Sequence, residues 1–159
     1  MTDTYRPLAT ITLASTSTSV TFSSIPATYR DLVVVGAGFA STPAGVLARF
    51  NGDVGANYNQ IVMFGDGSTP SSSASANQNQ TQFGRFDNTT LANFITSVMD
   101  YSATDKHKTF LSRYNSSAVL TAASAGRYAS TSAITSLRLF PESGNFSIGV
   151  TFSLYGIVS

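Results

Sequence analysis

The chain has 159 residues, 42% of them hydrophobic, which suits one domain with a core of its own. Charged residues make up only 11% and the formal net charge is +1, so no basic footprint exists for a nucleic-acid backbone or an anionic membrane surface, and neither partner is expected. Cysteine is absent, which excludes disulfides, thiolate metal sites and thiol catalysis together.

The first residues lack a basic stretch followed by an apolar one, and no window holds the roughly 18 apolar residues of a membrane span, so a soluble protein without an export signal is expected. Residues 1–7 carry too little apolar content to pack alone and read as an N-terminal arm ahead of a single domain at 8–159. Leu8–Leu13 alternates, with Ala9, Ile11 and Leu13 on one face and Thr10 and Thr12 on the other. Ser19–Phe22 repeats the pattern with Val20 and Phe22 inward. Leu32–Val35 is a continuous apolar run, expected to be a central strand covered on both faces. Val46–Phe50 and Tyr58–Phe64 are expected to pair as a hairpin across Asn51-Gly52-Asp53, whose Asn-Gly step supplies the positive φ of a tight, exposed turn.

Residues 65–84 change character completely. Ser, Asn, Gln, Gly and Ala dominate, almost nothing there can be buried, and a long polar loop is expected, mobile or ordered by a partner. Leu91–Met99, Thr109–Tyr114, Ala118–Ala125, Ile134–Phe140 and Phe146–Ile157 complete the strands. Leu91–Met99 also has the apolar spacing of a short helix, but its Phe, Ile, Thr and Val content decides for strand. The last two runs flank Pro141-Glu142-Ser143-Gly144-Asn145, and the final one is expected to be built into the body of a sheet. Eight or more antiparallel strands in one domain of this size are most simply an all-β, antiparallel sandwich of the jelly-roll type.

Six of the seven arginines stand beside an aromatic residue: Tyr5-Arg6, Tyr29-Arg30, Arg49-Phe50, Arg85-Phe86, Arg113-Tyr114 and Arg127-Tyr128. In a strand the ring can anchor the core while the arginine reaches outward. Ordinary strand alternation explains the pairing as it stands. A partner interface would use it as well, with Tyr5, Arg6, Arg30, Arg49, Arg113 and Arg127 as candidates and at least two of Arg30, Arg49, Arg113 and Arg127 in a subunit contact.

His107 is the single histidine and has no thiolate or second imidazole to join it, so Asp105-Lys106-His107-Lys108 reads as solvated hairpin charge and no metal or other cofactor is expected. The carboxylates, Glu142 and seven aspartates, fall mostly beside turns, no Gly-x-Ser-x-Gly elbow is present, and no catalytic residues are assigned. Asn57, Tyr58, Asn59 and Gln60 combine an aromatic ring with amides, the composition of an exposed sugar-binding patch.

The runs Tyr29–Val35, Arg49–Asp53, Met99–Thr109, Ser143–Phe146 and Thr151–Ile157 resemble virion structural proteins of tailed phages, especially those infecting cyanobacteria, over about Leu8–Ile157. The resemblance implies a capsid decoration or cement protein: a jelly-roll homotrimer, made in the host cytoplasm, bound to the major capsid protein on the outer surface of the head. Residues 1–7 and 65–84 are the expected bridging elements. The same kind of domain also ends fibre-like proteins, so a fibre module that binds a host carbohydrate is the alternative, and a sugar-binding domain unrelated to virions is a third.

Overall fold

The computed structural model describes residues 4–116 and 120–158. Among these, twelve strands form two antiparallel sheets packed face to face as a jelly-roll type sandwich. In chain order they are β1 (Tyr5–Thr12), β2 (Val20–Phe22), β3 (Asp31–Gly38), β4 (Ala44–Phe50), β5 (Tyr58–Gly65), β6 (Pro70–Gln78), β7 (Thr81–Phe86), β8 (Ala92–Met99), β9 (Lys108–Ser116), β10 (Leu120–Tyr128), β11 (Leu137–Pro141) and β12 (Thr151–Ile157). The large sheet runs β1-β12-β3-β8-β9-β10-β5-β6 and the small one β2-β11-β4-β7.

Strict two-residue alternation drives the large sheet together. β9 and β12 each bury every second residue, and the rings of Phe110, Tyr114 and Phe152 with Leu154 give each an inward apolar surface that must be covered, the buried Lys108, Ser112 and Ser116 of β9 lying between them. The covering surface is the small sheet, where Val46, Leu47 and Ala48 of β4 are all buried. Two aromatic clusters fill the space between the sheets. Phe50, Tyr58, Phe83, Phe110 and Tyr128 form one, with the Tyr58 and Tyr128 rings stacked at 4.9 Å. Phe86, Phe94, Phe146 and Phe152 form the other, with Phe146 and Phe152 also 4.9 Å apart. Such pairs contribute about 0.5–1.5 kcal/mol each beyond the apolar area they bury.

Several expected strands form. β3 lies inside the large sheet between β12 and β8, with Leu32, Val33 and Val34 all buried, and β12 lies between β1 and β3 rather than as a tail. Residues 92–99 are a strand and not a helix. Of the run expected at 118–125, Ala118 and Val119 lie outside the described residues, and β10 continues to Tyr128.

Four expectations are corrected. Residues 65–84 are not one long loop: they contain β6, which pairs with β5, and most of β7, which pairs with β4. Backbone hydrogen bonds order β6 where side-chain burial cannot, since all nine of its residues are exposed, whereas β7 buries Thr81 and Phe83. The arm is likewise a strand from Tyr5 onward, held by pairing with β12, while Met1–Asp3 lie outside the described residues. Asn51 and Gly52 do adopt positive φ (54° and 68°), and Asp53 N–H closes the turn on the Phe50 carbonyl at 2.9 Å. The turn nonetheless makes no hairpin: β4 and β5 belong to different sheets, and the chain crosses between them there. Finally, Lys108 is not solvated. Its side chain is buried, its ammonium donates to the Lys106 and Ser130 carbonyls at 3.2 Å each, and burial pushes its pKa below the ordinary lysine value.

Candidate functional site

The inward face of the large sheet is consumed by the core, so the chemistry available to a partner lies on its outward face. Register fixes which residues share it. One row runs Tyr155, Val33, Ser97, Leu111, Ala125, Ile61 and Ala74, and the adjacent row Ser153, Val35, Ile95, Arg113, Ala123, Met63 and Ser72. Arg113 is the single charged residue in these two rows. Ile61, Met63 and Leu111 are 54%, 53% and 60% exposed, unusual for large apolar side chains grouped on one surface.

Shallow grooves meet at Arg113. One, of about 680 Å³, runs along β5, β6 and β10 between Met63, Pro70, Thr121 and Ala123. A second passes Val35, Asn93, Ile95 and Asn115, and a third lies among Tyr5, Ile95, Ser97 and Leu111. The guanidinium thus stands in a surface of small and apolar side chains, the composition found at the centre of protein interfaces, where charge is depleted but Arg, Met and Tyr are enriched.

The six interface candidates separate. Tyr5 and Arg113 line one groove, and Arg127 shares their face one row further on, opposite Thr109 and Asn59. Arg6 alternates to the other side of the edge strand β1. Arg30 sits at the sheet's end, exposed, its Nε 3.5 Å from Oδ2 of the half-buried Asp31. Arg49 faces away on the small sheet, stacked over the Phe140 ring at 4.8 Å and donating to the Asn79 carbonyl and to Gln80 Oε1 at 3.1 and 2.8 Å. It pins the β6–β7 turn and is occupied by that task. Arg138, which has no aromatic neighbour in sequence, lies over the same ring at 5.3 Å, because residues two apart on a strand share a face.

The expected sugar patch does not form. Tyr58 is wholly buried, its hydroxyl accepting from Phe50 N–H at 2.9 Å, and burial raises its pKa. Gln60 is buried against β7. Asn57 donates to Asp53 Oδ2 at 2.8 Å, and Asn59 accepts from Asn77 N–H at 2.8 Å, so each is engaged internally. An aromatic ring among amides has the composition of a sugar patch, but consecutive residues of a strand cannot all share one face. The sheet takes Tyr58 and Gln60 inward and turns Ile61 and Met63 out, and alternation from Tyr58 is the signal that separates them.

No family model matches the chain, and no curated protein sequence matches it. Among solved structures it is similar to an exo-inulinase from Aspergillus awamori at 13% identity and a TM-score of 0.46, where 97% of this chain lies over 30% of that one. It is also similar to the alginate lyase Aly36B, at 9% identity and TM-score 0.39 over 93% of this chain and 77% of the lyase. A tetrameric galectin from the ball sponge Cinachyrella sp. matches at 10% identity and TM-score 0.35, over 87% of this chain and 99% of the galectin. The chain therefore spans about a third of the inulinase's length.

Proposed function

We propose that this chain is a structural protein of a tailed-phage virion, a capsid decoration protein that lies on the outer surface of the head. In this reading the outward face of the large sheet meets the major capsid protein. The observation that carries it is the composition of that face: Ile61, Met63, Leu111 and Tyr5 stand exposed around Arg113, on a sheet whose other face is already filled by the core. The family resemblance supplies the particle. The work is thermodynamic and not catalytic, since each contact lowers the free energy of the assembled shell relative to its dissociated parts, multiplied by many copies on one surface. The homotrimer belongs to the same reading, and native mass measurement of the purified protein gives the stoichiometry directly.

Gold-labelled antibody against the chain, applied to intact virions and viewed by electron microscopy, tests the proposal. Label spread over the head is expected. Label confined to the tail tip or fibres overturns the decoration role in favour of the fibre module.

A further inference from the structure

Sheets in folded proteins end in edges whose backbone groups have no partner, and such edges are usually blunted by charge, proline, bulges or short length. Among the described residues three of the four edges here carry such a device. β1 holds Arg6, and Pro7, which lacks an N–H, and its register breaks between Pro7 and Ala9. β2 is only three residues long. β7 is capped from the facing sheet: Gln60 Nε2 donates to the Gln82 carbonyl at 2.7 Å, and Ser112 Oγ donates to the Phe83 carbonyl.

β6 differs. From Pro70 to Ser75 it runs in unbroken register with β5, and its irregularity lies beyond, toward Asn77. None of its residues is charged, all nine are exposed, and its one proline is its first residue. Among the described residues, nothing hydrogen-bonds the outer edge of Pro70–Ser75.

We propose that the edge of β6 pairs, antiparallel and about a two-fold axis, with β6 of a second copy of this chain. The ligand chemistry is fixed by the backbone, since alternate N–H and C=O groups along an edge are matched by another strand. The second copy is favoured by self-complementarity. Two-fold pairing sets the segment against its own reverse, and Ser71-Ser72-Ser73-Ala74-Ser75 opposes neither like charges nor bulky groups in any register. The same operation on β1 would set its proline and arginine against their own copies. Pairing also continues the outward face from one subunit to the next, because Ser72 and Ala74 extend the rows of Met63 and Ile61.

Six residues per strand make a contact about 20 Å long, well below a standard-size interface, so the pair is weak between free molecules and strengthened where copies are held on a common surface. It rests on the edge alone and stands whether or not the virion reading does.

The chain has no cysteine, so single substitutions report cleanly. Ser71→Cys, Ser72→Cys, Ser73→Cys, Ala74→Cys and Ser75→Cys are oxidised in turn, with the exposed Leu111→Cys as a control on the sheet face. A disulfide between identical positions requires that position to face its own copy closely, as only two-fold pairing allows. At least one β6 variant is expected to form covalent dimer about tenfold faster than the control, at the effective concentration of a held contact. Rates equal to the control at all five positions overturn the proposal. So does faster dimer formation at Leu111 than on β6, which would place self-contact on the face instead.

Discussion

Gln60 clamps Gln82 across the two sheets: its Nε2 donates to the Gln82 carbonyl at 2.7 Å while its Oε1 accepts from Gln82 N–H at 2.9 Å and from Thr81 Oγ1 at 2.8 Å. One buried amide therefore satisfies both backbone groups of Gln82 on the edge strand β7. Truncation leaves the Gln82 N–H without this acceptor and its carbonyl with only the longer hydrogen bond from Ser124 Oγ at 3.4 Å. Gln60→Ala is expected to destabilise the fold by about 2–5 kcal/mol, combining lost hydrogen bonds with unsatisfied buried partners. Gln60→Glu keeps the acceptors but loses the donor and buries a charge beside a carbonyl, so it should rescue little. Urea unfolding of the three proteins measures both effects, and an alanine variant within 0.5 kcal/mol of wild type, the ordinary range for surface changes, would count against the clamp.

Asp53 anchors the crossing between the sheets. Burial disfavours its charge, but hydrogen bonds from Gly55 N–H, the Asn57 amide and the Tyr128 hydroxyl outweigh this and hold the carboxyl below its ordinary pKa of 3.8. A folded-state pKa below the unfolded one gives stability that is complete above 3.8 and lost as pH falls through the folded value. Asp66 and Asp87 are lowered as well, so the acid limb alone does not isolate Asp53. The difference between wild type and Asp53→Asn does. It should be largest near neutral pH and shrink as pH falls below 3.8 and the wild type protonates. At the alkaline end burial, reinforced by the Asp53 hydrogen bond, raises Tyr128 from 10.0 to about 12, so stability should fall as pH rises through that window.

Alternation made most of the fold legible. Ser19–Phe22 and Phe146–Ile157 announce strands by alternation and Leu32–Val35 by an unbroken apolar run, and Phe50, Phe86, Tyr114 and Tyr128 are buried with their neighbouring arginines turned outward or aside. β6 left no such signal, since a strand that buries no side chain has no hydrophobic period to read. Partner choice was also hidden. Asn51-Gly52 specifies the turn's dihedrals, but whether the next strand returns to the same sheet depends on contacts far along the chain, with β11 for β4 and with β10 for β5. The outward face gives no hydropathy signal either: β5 turns the apolar Ile61 and Met63 out and buries the polar Gln60.

Gly126 of β10 marks a close approach. A Cβ there would overlap the Phe110 ring and come within 2.8 Å of the Asn59 carbonyl, which is backbone and cannot rotate away. Phe110 in turn packs on Phe50 and Phe83 in the aromatic core. Gly126→Ala is expected to cost about 1–3 kcal/mol by overpacking, and pairing it with Phe110→Leu should recover part of that loss although each change alone destabilises. Thermal or urea unfolding of the double-mutant cycle checks this. Strict additivity would mean that the ring is not the obstacle.

Arg113 is exposed and makes no ion pair among the described residues, so its replacement separates binding from folding. Arg113→Glu should leave stability within about 0.5 kcal/mol of wild type, as surface changes away from structural features do. On the proposed contact face it places a reversed charge in the middle of an apolar surface, and an interface must then desolvate that carboxylate without its matched partner. Binding to decoration-free heads should weaken at least about tenfold, or ~1.4 kcal/mol, whereas Arg30→Glu at the sheet's end should weaken it far less. Co-sedimentation of each variant with such heads gives the comparison. Equal loss for both would point to general electrostatic attraction and away from a contact centred on Arg113.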